Sequence, residues 1–218
     1  MSPLPARFTD RWGSSRAGLS YEDSVCWHFL LGSNAGVRAA VSGAQQRLAR
    51  FGGMHMTPAR WLHATVLLAG PAAAITRDAM DDMLARATAA LAGTAPVTVT
   101  LGRILYSPEG IALGISPTSA LSPVLAAAHA ATRDVIGASG SVEGIVSAWM
   151  PHVTVCYSTG EQAAAPVIAE LGKATPACEV SIDRLSLVVQ NGPEQLWDWW
   201  VAGTAPLGTN ADGSGAAR

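Results

Sequence analysis

Two short stretches each carry an imidazole and a hydroxyl two residues apart: His63-Ala64-Thr65-Val66 and His152-Val153-Thr154-Val155. Each lies in an apolar, β-branched run that reads as a buried strand. Side chains at i and i+2 of a strand share one face, so each histidine points the same way as its threonine. Two such pairs, presented from opposite sides of one bound group, suit an in-line displacement at phosphorus. A neutral histidine takes the proton of the attacking oxygen, and a protonated one delivers a proton to the leaving oxygen. The threonine hydroxyls stabilise charge that grows on the non-bridging oxygens. Imidazole titrates near neutrality, so this chemistry calls for no metal and no cofactor. The residues alone leave open which histidine is the base.

Other residues could join the pair. Trp61 shares the face of His63 and Thr65 by the strand period and could stack on a nucleobase. Tyr157 falls on the face opposite His152, and reaches the same side only if the strand ends or bulges there. His55 stands shortly before the first motif and could line its rim. His28 and His129 read as structural, and Arg103 and Arg184 as surface ion-pairing residues. Trp197, Trp199 and Trp200 read as a packed closing strand.

The elements that must position these groups can be read from periodicity and turn residues. Val25 to Leu31 reads as a strand and Ala35 to Phe51 as a helix capped by Ser33 or Asn34, with Val37, Val41, Ala44 and Leu48 on one face. Met54 to Pro58 reads as a connector, residues 60–68 as the first motif strand and 76–91 as a second helix. A hairpin spans 97–115, a third helix runs to about Ile136, and 137–144 reads as a loop. The second motif strand covers 149–157 and a short helix 162–171. Val180 to Gln190 reads as one strand, and Gln195 to Val201 closes a hairpin with it. Residues 1–20 and 203–218, rich in small and polar residues, read as a flexible arm and a disordered tail around a single 21–202 domain.

The order strand, helix, motif strand, helix, strand, turn, strand occurs twice, and Val97 to Arg103 looks like Val180 to Arg184. This predicts an α+β fold of two pseudo-symmetric sheet-plus-helix lobes facing each other across a central cleft. Composition sets the limits. Of 218 residues nearly half are hydrophobic, 14% are charged, and the net charge is −2, which excludes a globally basic binder of long duplex nucleic acid. Three cysteines without metal-finger spacing suit a reducing cytoplasm. The first ten residues lack a signal-like apolar core, and no apolar run is long enough for a membrane span.

The two motifs resemble the paired signatures of the 2H phosphoesterase superfamily. Pro151 before the second motif and Cys156-Tyr157-Ser158 after it are similar to its bacterial 2′-5′ RNA ligase-like branch. The resemblance covers residues 24–202. It implies a bilobal fold and His63, His152, Thr65 and Thr154 as catalytic residues, with Trp61, Tyr157 and His55 as candidates for substrate contact. It further implies metal-free cleavage of 2′,3′-cyclic phosphates or 2′-5′ phosphodiesters on small nucleotides or RNA ends, with ligation as the reverse reaction. A monomer without membrane contact is expected. A non-catalytic nucleotide-binding module and a His-ligated zinc protein are the alternatives.

Overall fold

The structure, a computed structural model, describes residues 4–13, 22–137 and 149–208. Among these residues are eleven strands and four α-helices. In chain order they begin with β1 (Arg7–Phe8), β2 (Ser24–Leu30), α1 (Ala35–Leu48), β3 (Met54–Met56), β4 (His63–Pro71), α2 (Arg77–Leu91), β5 (Val97–Ser107) and β6 (Gly110–Ser116). Then come α3 (Ser122–Ile136), β7 (His152–Ser158), β8 (Gln162–Ala163), α4 (Ala165–Leu171), β9 (Ala174–Ile182), β10 (Arg184–Gln190) and β11 (Trp199–Pro206). The first sheet has the order β11-β10-β2-β4 and the second β3-β7-β6-β5-β9, antiparallel throughout; β1 and β8 form a separate pair.

The helices form where cap and period agree. Asn34 accepts the Val37 N–H at 3.0 Å to start α1, and Thr76 accepts the Ala79 N–H at 3.2 Å to start α2. The buried faces are Val37, Val41, Ala44 and Leu48 on α1, and Met80, Met83, Ala87 and Leu91 on α2. Helices α2 and α3 back the first sheet, through β11 and β4, while α1 backs the second, through β9 and β7. One side of β2 turns Trp27 into this layer, where its indole N–H donates to Thr132 of α3 at 2.9 Å. The opposite face of β2 is left to the cleft.

The repeat is real but interleaved. The unit β2-α1-β4-α2 corresponds to β6-α3-β7-α4, yet α1 covers the second sheet and α3 the first. The likeness of Val97 and Val180 has a different origin from the one expected: these strands are partners, with Val99 opposite Val180 and Val97 opposite Ile182. Residues 180–190 do not form one strand. The chain leaves the second sheet at Ile182 and enters the first at Arg184. Met54–Met56, read as a connector, pairs with β7.

The flexible-arm reading does not hold for residues 4–13. Phe8 is fully buried, β1 pairs with β8, and the Arg11 N–H donates to the Ser158 carbonyl at 2.9 Å. Nor does the disordered-tail reading hold for 203–206, which complete β11 against β10. The rest of the expected arm, most of the 137–144 loop and the tail beyond 208 lie outside the described residues. Among the described residues no helix is long and apolar enough to cross a membrane.

Candidate active site

The two motif strands lie where the sheets approach. β4 is the edge of the first sheet and contacts β7 of the second. The Trp149 indole N–H ties them, donating to the Thr65 carbonyl at 3.1 Å. His63, Thr65, His152 and Thr154 all line one cavity of about 320 Å³ between the sheets.

Both motifs are built alike, down to an irregularity that the sequence does not announce. In the β2–β4 pair, His28 lies opposite Thr65 but Trp27 opposite Leu67, so Val66 is an extra residue. In the β6–β7 pair, Ala112 lies opposite Thr154 but Ile111 opposite Cys156, so Val155 is an extra residue. The valine after each threonine is thus a β-bulge, which shifts the facing of the next residues by one. The Val155 bulge brings Tyr157 into the cavity with His152 and Thr154, satisfying the condition under which it could reach that side. On α1, the Gln45 side-chain amide donates to the Val155 carbonyl at 3.0 Å and to the Thr57 carbonyl at 2.8 Å. The Val155 carbonyl also accepts the Thr57 N–H at 3.1 Å, so the bulged backbone is held by two donors.

Each histidine is oriented by the backbone two residues before it. Nδ1 of His63 is 2.7 Å from the Trp61 carbonyl, and Nδ1 of His152 is 2.8 Å from the Met150 carbonyl. A carbonyl only accepts, so Nδ1 carries a proton in both rings, leaving Nε2 to give or take the mobile one. The rings differ in setting. His63 stacks on His28, ring centroids 4.3 Å apart, and meets the edge of Trp199 at 4.7 Å. Burial pushes the His63 pKa down to about 4; the nearby His152 acts in the same direction, against the Trp61 carbonyl and Glu194. His152 is exposed.

The remaining candidates divide. Trp61 does not line the cavity. It sits in a 3₁₀ turn, Ala59–Trp61, where the strand period does not apply, and packs edge-on against Trp199 at 4.7 Å. His55 also stands behind the wall: its Nε2 lies 3.2 Å from the Trp197 indole N–H, which it can accept. Trp197 and Trp199, read as packing, line the cavity instead. Trp197 is held at φ 55°, left-handed for a bulky residue, with its ring stacked on Tyr157. Such backbone is uncommon outside glycine and costs about 1–3 kcal/mol, so the surrounding contacts must hold it.

Sequence reasoning missed Arg11 and Glu194. The Arg11 guanidinium donates twice to Glu194, at 2.8 and 2.9 Å, and once to Glu109 at 3.0 Å, and it lies over the Tyr157 ring. Although burial opposes it, the hydrogen bonding and charge of these partners raise the Arg11 pKa overall. The N-terminal segment is thereby a strap: Thr9 and Arg11 bond to the second lobe at Pro108 and Ser158, and Arg11 reaches Glu194 beyond β10 of the first. Nothing in its composition signals this role. Cys26 also lines the cavity, but burial pushes its thiol up to about 12, which leaves it no thiolate character. Among the described residues no group of three or more His, Cys, Asp or Glu is placed to hold a metal ion.

The sequence profile of the 2′-5′ RNA ligase superfamily matches residues 37–194, spanning both motifs and most of the cavity wall. The chain belongs to this superfamily. Its solved relatives share the fold at low identity. TT0787 of Thermus thermophilus is 18% identical with a TM-score of 0.68, the alignment covering 86% of this chain and 99% of that one. LigT of E. coli, in a complex with ATP, is 13% identical with a TM-score of 0.61 and covers the same shares. LigT has also been crystallised with 3′-AMP, where it is 11% identical with a TM-score of 0.60 over 85% of this chain and 97% of that one. No curated protein matches the chain. The alignments confirm the bilobal 2H phosphoesterase architecture.

Proposed function

We propose that the protein is a metal-independent phosphodiesterase of the 2′-5′ RNA ligase superfamily, acting on 2′,3′-cyclic phosphates or 2′-5′ linkages of small nucleotides or RNA ends. The observation that carries this is the pair of histidines on one cavity, each with Nδ1 committed to a backbone carbonyl. In that state the only exchangeable ring position is Nε2, which a proton-transfer catalyst needs free. A cavity of about 320 Å³ falls in the range of small-ligand sites, and the complexes of LigT with ATP and 3′-AMP support a nucleotide as occupant.

The unequal settings of the two rings support a division of roles. His63, held neutral by burial, is the base; His152, open to solvent and able to regain a proton from it, is the acid. On a cyclic phosphate, water attacks phosphorus, its proton goes to His63 Nε2, and the bond to one ribose oxygen breaks. That oxygen takes the His152 proton and leaves as a hydroxyl. Thr65 and Thr154 donate to the non-bridging oxygens, and the negative phosphoryl group with Glu194 stabilises the imidazolium that forms at His63. Exchange with solvent resets both rings. The same sequence with a second nucleotide's hydroxyl in place of water, giving up its proton to His63 as it attacks the cyclic phosphate and opens the ring, is ligation.

The test is turnover of 2′,3′-cyclic mononucleotides and 2′-5′-linked dinucleotides in the presence of a chelator. Cleavage that His63→Ala and His152→Ala each lower by about 10²-fold or more supports the reading. Activity lost to chelator and restored by zinc or magnesium, or left intact in a folded histidine variant, defeats it.

A further inference from the structure

The pseudo-twofold makes the cleft a comparison of like with like, and the two sides differ at one informative position. The residue opposite Thr154 is Ala112 on β6; the residue opposite Thr65 is His28 on β2. Directly opposed residues of an antiparallel pair point to the same face. His28 therefore stands beside Thr65 in the cleft wall, as Ala112 stands beside Thr154, and both line the cavity. A methyl group suffices at this position on one side, so the sheet itself does not demand an imidazole on the other.

His28 is only 4% exposed, and neither of its ring nitrogens has a hydrogen-bond partner among the described residues. A neutral imidazole carries one N–H and one bare nitrogen, and buried polar atoms of this kind are ordinarily paired. Stacking on His63 uses the ring face and leaves both nitrogens, which lie in the ring plane, unanswered. A phenyl ring would stack equally well without that deficit. The deficit is thus best explained by a partner that arrives with the ligand.

We propose that His28 is a third ligand-contacting imidazole of this cleft, completing its hydrogen bonding on an oxygen of the bound phosphoester next to the one held by Thr65. It acts as a neutral donor: burial, and secondarily the charge His63 would carry, hold its pKa well below the usual range. The Thr65 side then offers a phosphoester a hydroxyl and an N–H, while the Thr154 side offers a hydroxyl beside a methyl. That inequality gives an otherwise pseudo-symmetric site one preferred orientation of the phosphoryl group, in which His63 receives the attacking oxygen's proton. The proposal rests on the phosphoester reading of the cleft.

Inorganic phosphate tests it without turnover. In the intact protein with ¹⁵N-labelled imidazoles, the His28 nitrogen resonances should shift as phosphate saturates. His28→Phe, which keeps the stack and removes both nitrogens, should weaken phosphate by about tenfold or more, the usual effect of losing a donor to a charged acceptor. His28→Gln, which keeps a side-chain N–H, should recover most of that loss. His28 resonances unmoved at saturating phosphate overturn the proposal whether or not the variants fold, and so does undiminished phosphate binding by a folded His28→Phe. Phosphate that shifts His28 in a protein unable to cleave any cyclic or 2′-5′ substrate would retire the phosphodiesterase reading and leave this contact standing. A protein that binds no phosphate at all sinks the proposal outright.

Discussion

Trp199→Ala should move the acidic limb of the pH–rate profile. A free histidine titrates near 6.5, whereas burial holds His63 at about 4. The gap corresponds to roughly 3 kcal/mol against the imidazolium. At pH 5.5 a base titrating at about 4 is roughly 97% neutral, and one titrating near 6.5 roughly 9% neutral, about a tenfold difference in competent enzyme. Trp199 covers the edge of His63 at 4.7 Å and that of His28 at 5.5 Å; its removal admits more water to the half-buried His63 ring and lets the pKa rise. The assay is kcat/KM on a 2′,3′-cyclic nucleotide from pH 4 to 8, each variant normalised to its own plateau so that lost stacking does not confuse the comparison. The parent should hold its activity at pH 5.5, and Trp199→Ala should lose up to about tenfold there. Trp200→Ala is the control, since that ring is 40% exposed and packs under Arg77 away from the cavity. A parent profile already falling near pH 6.5, or a Trp199→Ala limb that stays in place, would refute the assignment of His63 as the buried base.

Stability should depend on the same residue: a histidine whose folded pKa is depressed binds protons more readily when unfolded, so the fold loses stability as pH falls from about 6.5 to about 4, by up to about 3 kcal/mol for His63. Urea midpoints across that window, falling less steeply in a His28→Phe/His63→Phe double variant, check it. His63→Ala and His152→Ala should each lower turnover by about 10²-fold or more, and the double variant should fall well short of the product because both act in one displacement; multiplicative loss in initial-rate assays would count against a shared step. Arg11→Ala leaves Glu194 and Glu109 without their shared guanidinium and should cost about 2 kcal/mol, read as a thermal midpoint lower by about 4–8 °C for a chain of this size. Gly110→Ala would set a Cβ 2.7 Å from the Cys156 carbonyl oxygen and 3.2 Å from the Tyr157 ring; it should destabilise by about 1–3 kcal/mol, and an unchanged urea midpoint would show that the β6–β7 pair yields more easily than its register suggests.

Much of this molecule is legible in local pattern. Asn34 and Thr76 cap where side-chain oxygens belong, α1 and α2 bury the apolar positions their period selects, and both motif strands form where β-branched residues cluster. The features that escape are those that depend on a partner distant in sequence. Met54–Met56 has no strand pattern of its own, and becomes one by lying beside β7. Asp183 separates strands of two different sheets, although Val180 to Gln190 reads as one apolar run. The N-terminal segment has the composition of an arm; Phe8 and Arg11 are fixed by Gln162, Glu109 and Glu194, residues that no window around them contains.

The motif valines show how a repeated local feature becomes a site. Alternation alone would place His152 and Tyr157 on opposite faces of β7, and the burial sequence would simply alternate. Instead Val155 and Cys156 are both buried and Tyr157 turns toward the cavity. The same double burial occurs at Val66 and Leu67. A β-branched residue with no polar atom to satisfy is well suited to a bulge whose side chain packs into the core. The bulge leaves the histidine and threonine in regular strand geometry and re-aims only the residues beyond it. Variation beyond each motif is thereby separated from its histidine and threonine: Tyr157 after one motif lines the cavity, while Leu68, at the equivalent position after the other, does not. On the proposed mechanism, that separation, with His28 beside one threonine and Ala112 beside the other, is what lets two nearly identical motifs take the two different roles that one displacement requires.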